Sequence, residues 1–199
     1  MTISVGGTDL GSVSNVLLLE PGRREWDGGA CVELLASGSG TTRVLAVTYT
    51  DPSIAHLDEF ESVAGHRLAE VSIVSVDETA TELRTETVDG TTIRTVGPAD
   101  NLTGVAAAVS ECIGAWNERA APGDDLVFCF DSLTAMLQSV SRERAFRFLH
   151  VLTRRLEQAG AVGHYHVEPS RHDEQTIATF SPLFDATVEV TADDVEVWS

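Results

Sequence analysis

Residues 126–137 read LVFCFDSLTAML: five apolar residues in succession, an aspartate and a serine, then a return to apolar residues. An unbroken run rich in Val and Phe predicts a strand covered on both faces, as in parallel sheets flanked by helices. Asp131 and Ser132 mark the point where that strand leaves the core. The TAML that follows has the spacing of a helix start.

Similar runs recur on either side. NVLLL (15–19), RVLAVTY (43–49), VSIVSV (71–76), AVGHYHV (161–167) and ATVEV (186–190) read as further strands, and VEVW near the C-terminus as an added edge strand. Between them, Leu102, Val105, Ala106, Val109, Ile113 and Trp116 follow i, i+3, i+4, i+7 spacing. Ala145, Phe148, Leu149, Leu152, Leu156 and Ala159 form a second stripe, closed by Gly160 as a C′ residue. Strands alternating with helices predict one α/β domain over 1–199, three-layered, with a mainly parallel sheet and helices on both faces. Residues 79–96 break the alternation: they are polar and Thr-rich, and Asp89-Gly90 is a type I′ turn signal, so a small hairpin or polar excursion is expected there. Asn101-Leu102-Thr103 matches a glycosylation acceptor, but Asn101 or Asp100 as helix cap is the preferred reading.

Charge is the strongest feature of the composition. The chain has 31 Asp and Glu against 13 basic residues, a formal charge of −18, and every basic residue is arginine. Such a lysine-free, acidic surface fits a protein working in concentrated salt, where the Debye length falls to about 3 Å at 1 M. It also excludes direct nucleic-acid binding, which relies on a basic patch. No apolar run is long enough to span a membrane, and MTISVGGTDLGSVS lacks the pattern of a secretory signal. Cys31, Cys112 and Cys129 read as reduced, mostly buried thiols, so a cytoplasmic location is expected.

Taken together, LVFCFDSLTAML, the helix RAFRFLHVLTRRLEQAG and the strands around them resemble the KaiC-like branch of the RecA-fold ATPases, and a group of small uncharacterised haloarchaeal proteins of this kind. The resemblance implies a RecA-like sheet and three features for ATP hydrolysis. The first is a phosphate loop of the form G-x-x-x-x-G-K-[ST] after the first strand. Here LLLEPGRREWDGGACVELL (17–35) stands in that place, with Gly29-Ala30-Cys31 where Gly-Lys-Thr belongs, and the chain contains no lysine with which to complete the motif. Glu20, Glu25 and Asp27 oppose phosphate more than Arg23 and Arg24 attract it. The second implied feature is an acidic pair after the second strand. Only Asp51 of VTYTDPS (47–53) remains, and Asp51-Pro52 also suits a helix start. The third is a metal-binding Asp131, for which capping or anchoring at the sheet edge is the competing and favoured role.

One constellation stands apart. In GHYHVEPSRH (163–172), His164 and His166 share a strand face and Glu168 continues it, so a divalent metal is one possible ligand. The alternative is a hydrogen-bonded structural pair, with Asp131 or Asp51 as partner. Cys31 is read as core. The expected function is a non-catalytic regulatory or scaffold domain, acting through a protein partner or a homo-oligomer, with no cofactor required. The alternatives are nucleotide or small-ligand sensing at Arg23, Arg24, Asp131 and Ser132, and a metal-dependent hydrolase built on His164, His166 and Glu168.

Overall fold

The structure is a computed structural model and describes residues 3–21, 29–36, 40–49, 68–191 and 195–198. A hairpin of β1 (Ile3–Val5) and β2 (Thr8–Gly11) comes first, followed by β3 (Asn15–Leu19), α1 (Gly29–Ala36), β4 (Thr42–Thr48) and β5 (Leu68–Val76). Next are β6 (Arg84–Val88), β7 (Thr91–Val96), α2 (Leu102–Asn117), β8 (Asp125–Asp131), α3 (Leu133–Ser139) and α4 (Arg142–Gln158). Then follow β9 (Val162–Val167), α5 (Glu174–Phe180), β10 (Ala186–Val190) and β11 (Val195–Trp198).

Nine of these strands form one sheet in the order β11-β10-β3-β9-β8-β4-β5-β7-β6. Neighbours from β10 through to β7 are parallel, and among the described residues antiparallel pairing in this sheet occurs at its two ends, β10 with β11 and β6 with β7. The apolar runs are central, as a sheet covered on both faces requires. Every residue of β3 is buried. Successive side chains point to opposite faces: Phe128, Phe130 and Tyr165 pack with α2, α4 and α5, whereas Cys129 and Val127 pack with α1. The result is the three-layer α/β architecture, with a mainly parallel sheet and helices on both faces, expected from the alternation.

The 84–96 hairpin turns through Asp89 (φ 49) and Gly90 (φ 86), the left-handed pair that a type I′ turn demands. It does not leave the sheet: β7 lies parallel to β5 and continues it. Its outer strand β6 is exposed along its whole length, and its Arg84 and Glu86 guard the free edge against pairing with another chain. VEVW is the opposite edge.

Both helical stripes face the core. In α4, Ala145, Leu149, Leu152 and Leu156 are buried, and Gly160 (φ 70) follows the helix end as predicted. In α2, the Asn101 Oδ1 accepts from the Gly104 N–H at 2.9 Å, and its Nδ2 donates to the Gly97 carbonyl at 3.0 Å. Asn101→Ala removes the cap and is expected to cost about 1 kcal/mol, or roughly 2–4 °C in Tm for a chain of this size. Thermal unfolding in concentrated KCl measures this directly.

Candidate functional site at the carboxyl edge of the sheet

Strands β3, β4, β8 and β9 all end at one edge of the sheet. The next described helix after β3, α1, covers one face; the helices that follow β8 and β9 cover the other. Since β3 and β9 are adjacent and the next described helices pack on opposite faces, a crevice lies at their carboxyl ends, the place where ligands bind in open α/β sheets. A cavity of about 360 Å³ opens there, lined among others by Glu20, Tyr49, Asp131, Ser132, His166, Glu168 and Arg171.

The Asp-Ser pair is built into this edge. The Ser132 Oγ accepts from the Ala135 N–H at 3.1 Å and so caps α3, while the Asp131 carbonyl accepts from the Tyr49 N–H at 2.7 Å and ties β8 to β4. Capping thus falls to Ser132, and Asp131 anchors the neighbouring strand. Burial, and then the charge of Asp100, push the Tyr49 phenol above its ordinary range. Glu168 departs from its expected grouping with the histidines. Its N–H donates to Thr134 Oγ1 at 2.9 Å, and its carboxylate accepts from Ser170 Oγ at 3.0 Å. Arg23, Arg24 and Asp51 lie outside the described residues.

Beneath the cavity floor, four metal-capable side chains converge: Cys31 from α1, Cys129 from β8, and His164 and His166 from β9. All four are buried, and their donor atoms lie within 4.8 Å of one another. The strand register makes this possible, because Cys129 pairs directly with His164 across the β8–β9 ladder. Cys31 Sγ lies 3.2 Å from His164 Nε2, and Cys129 Sγ lies 3.4 Å from His166 Nε2. On its other side, His166 Nδ1 meets Glu20 Oε1 at 2.5 Å.

This is an unusual load of polar chemistry for a core. Among the described residues neither His164 Nδ1 nor Glu20 Oε2 has a hydrogen-bond partner, although both are buried. The hydrogen bond with Cys31, and then burial, push the Cys129 thiol up to about 12. For His166, burial works against the cation, but the Glu20 carboxylate and Cys129 outweigh it and the net direction is upward. Two sulfurs and two imidazole nitrogens in one pocket form a donor set that could bind a metal.

The sequence placed His164 and His166 on one face, and the structure does the same. It did not bring Cys31, Cys129 or Glu20 to them. The one available signal was period-two alternation, which sets Cys129 and Val127 on the opposite face from Phe128 and Phe130. The missing information was the order of strands, which brings β9 between β3 and β8.

The fold and this edge define a three-layer α/β domain with a polar crevice over a buried Cys-His cluster. The chain belongs to a family described as a family of unknown function, DUF7504, whose model matches residues 13–190. No curated protein matches it. Among solved structures, it is similar to the Pyrococcus horikoshii protein PH0250, with a TM-score of 0.57 and 10% identity over 92% of this chain and 85% of that one. It is also similar to PH0321 of Pyrococcus horikoshii, an uncharacterised protein crystallised with an unknown peptide. There the TM-score is 0.56 and the identity 12%, over 94% of this chain and 82% of that one. At these identities the likeness is one of fold.

Proposed function

We propose that this chain is a non-hydrolysing relative of KaiC-type RecA-fold ATPases, which acts as a regulatory or scaffold domain by binding a protein partner in a salty medium. The observation that carries this reading is the complete absence of lysine from a chain whose strand pattern resembles that family. A triphosphate needs an ammonium among its phosphate contacts in P-loop enzymes, and backbone N–H groups alone do not replace it. The cavity works in the same direction. Its lining includes three acidic residues, Glu20, Asp131 and Glu168, and one basic one, Arg171, a balance that disfavours polyphosphate and suits a neutral or basic peptide segment. The peptide found with PH0321 supports a binding role for the architecture.

Among the described residues, several other arginines are engaged. Arg43 pairs with Asp124 at 2.6 Å, and Arg119 Nη2 reaches both Glu70 oxygens at 2.9 and 3.0 Å. Arg142 and Arg144 each face a carboxylate at 3.7 Å. Among the described residues, no helix is long and apolar enough to cross a membrane.

Titration calorimetry with ATP and ADP, with and without Mg²⁺ in concentrated KCl, is expected to give no binding tighter than about 1 mM, equivalent to roughly 4 kcal/mol. A magnesium-dependent affinity near 1 μM, about 8 kcal/mol, would overturn the reading.

A further inference from the structure

We propose that Cys31, Cys129, His164 and His166 form a closed tetrahedral site for one Zn²⁺ ion, that Glu20 orients His166 from behind, and that the ion fastens α1 to the sheet beneath the cavity.

The geometry carries this. Zn–S bonds of about 2.3 Å and Zn–N bonds of about 2.0–2.1 Å at tetrahedral angles set sulfur and nitrogen ligands roughly 3.6 Å apart. Two of the sulfur–nitrogen pairs here lie at 3.2 and 3.4 Å, and all four donors fall within 4.8 Å. Small outward rotations of the side chains open the space an ion requires. Packing alone gives no reason for this convergence. A buried cysteine behaves as a small hydrophobe and a buried histidine needs partners for its ring nitrogens, so apolar packing does not select two of each with all four donors within 4.8 Å.

The donor set selects the ion. Two thiolates with two imidazoles suit zinc, and their two negative charges neutralise a dication in a buried place. The thiols release their protons to solvent as they coordinate. Glu20 at 2.5 Å from His166 Nδ1 supplies the carboxylate–histidine contact that commonly fixes ring orientation in such sites. Four protein ligands leave no position for water, so the role is structural rather than hydrolytic.

The consequence lies in α1. It has eight residues, too few for stability on its own, and carries no basic residue in its last turn and no acidic one in its first. A bond from Cys31 through the ion to β8 and β9 links this helix covalently to the sheet's central strands. His166 and Glu20 also line the cavity, so the same ion stiffens the cavity floor.

The test uses the full chain, produced without a histidine tag in zinc-supplemented medium. Plasma mass spectrometry is expected to find one zinc per chain, and zinc-edge X-ray absorption to resolve two sulfur and two nitrogen ligands at about 2.3 and 2.0–2.1 Å. Glu20→Gln should weaken zinc affinity by roughly 10–100-fold while leaving the tetrahedral Co²⁺ spectrum in place. Cys31→Ser and Cys129→Ser should weaken it further and remove one thiolate-to-cobalt charge-transfer contribution each. Cys112→Ser, at a buried thiol outside the cluster, should keep full stoichiometry. Protein that takes up neither Zn²⁺ nor Co²⁺, or that keeps full zinc in Cys31→Ser and Cys129→Ser, would overturn the site. So would an absorption spectrum without sulfur ligands, a measurement on the wild-type chain that stands even where the serine variants do not fold.

Discussion

Replacing Tyr165 by alanine is expected to destabilise the fold by about 3–5 kcal/mol, the range for deleting a fully buried aromatic ring. Tyr165 is completely buried at the middle of β9. Its ring centroid lies 5.5 Å from Phe128, 6.0 Å from Phe130 and 4.8 Å from Phe184, so truncation opens a void where β8, β9 and the segment before β10 meet. The hydroxyl adds a separable part. It donates to Asn15 Oδ1 at 3.0 Å, and Asn15 Nδ2 in turn donates to the Thr153 carbonyl of α4 at 3.3 Å. Tyr165→Phe keeps the ring and strands Asn15 Oδ1, at a cost of about 1–3 kcal/mol. At roughly 2–4 °C per kcal/mol, the alanine variant should melt about 6–20 °C below wild type and the phenylalanine variant about 2–12 °C below. Thermal and denaturant unfolding in concentrated KCl measure both. Equal losses in the two variants would place the energy in the hydroxyl network instead of the ring.

The elements just named show what a single sequence discloses and what it withholds. LVFCF and NVLLL are two-sided strands because they are apolar throughout, and that property is local. So are the α4 stripe, Gly160 and the Asp89-Gly90 turn. Ser132 as cap of α3 is local too, since serine before an apolar helical run is a cap signal in its own right. The Cys-His cluster is different in kind. Cys31 and His164 lie 133 positions apart, and Glu20 and His166 lie 146 apart. Their meeting depends on strand order and on which face α1 covers, and neither is encoded in any short window. The path of residues 79–96 was half legible for the same reason. The turn is local, whereas the parallel pairing of β7 with β5 is not.

Screening should govern stability more than any single contact. Lowering KCl from about 1 M to about 0.1 M is expected to reduce Tm by roughly 10–20 °C, because the Debye length grows from about 3 Å to about 10 Å while the charge stays the same. The formal charge of −18 resides on 199 residues. A folded chain of this length approximates a sphere of about 21 Å radius, and spreading the charge over it gives a self-energy of about 10 kcal/mol at 0.1 M and about 4 kcal/mol at 1 M. The unfolded chain holds the same charge at larger separations and retains part of that energy, so the net change in stability is about 3–6 kcal/mol. Local pairs do little to soften this. Arg142–Asp173 and Arg144–Asp100 are exposed at 3.7 Å, the class of ion pair worth about 0–1 kcal/mol. KCl is the appropriate titrant, since sulfate strengthens burial in almost any protein by exclusion from its surface. Circular dichroism melts across the KCl series should therefore rise steeply up to about 0.5 M and flatten beyond it, where the Debye length is already shorter than the spacing of surface charges. A Tm that stays level from 0.1 M upward, in about the same buffer, would mean that the acidic surface is not held in check by salt.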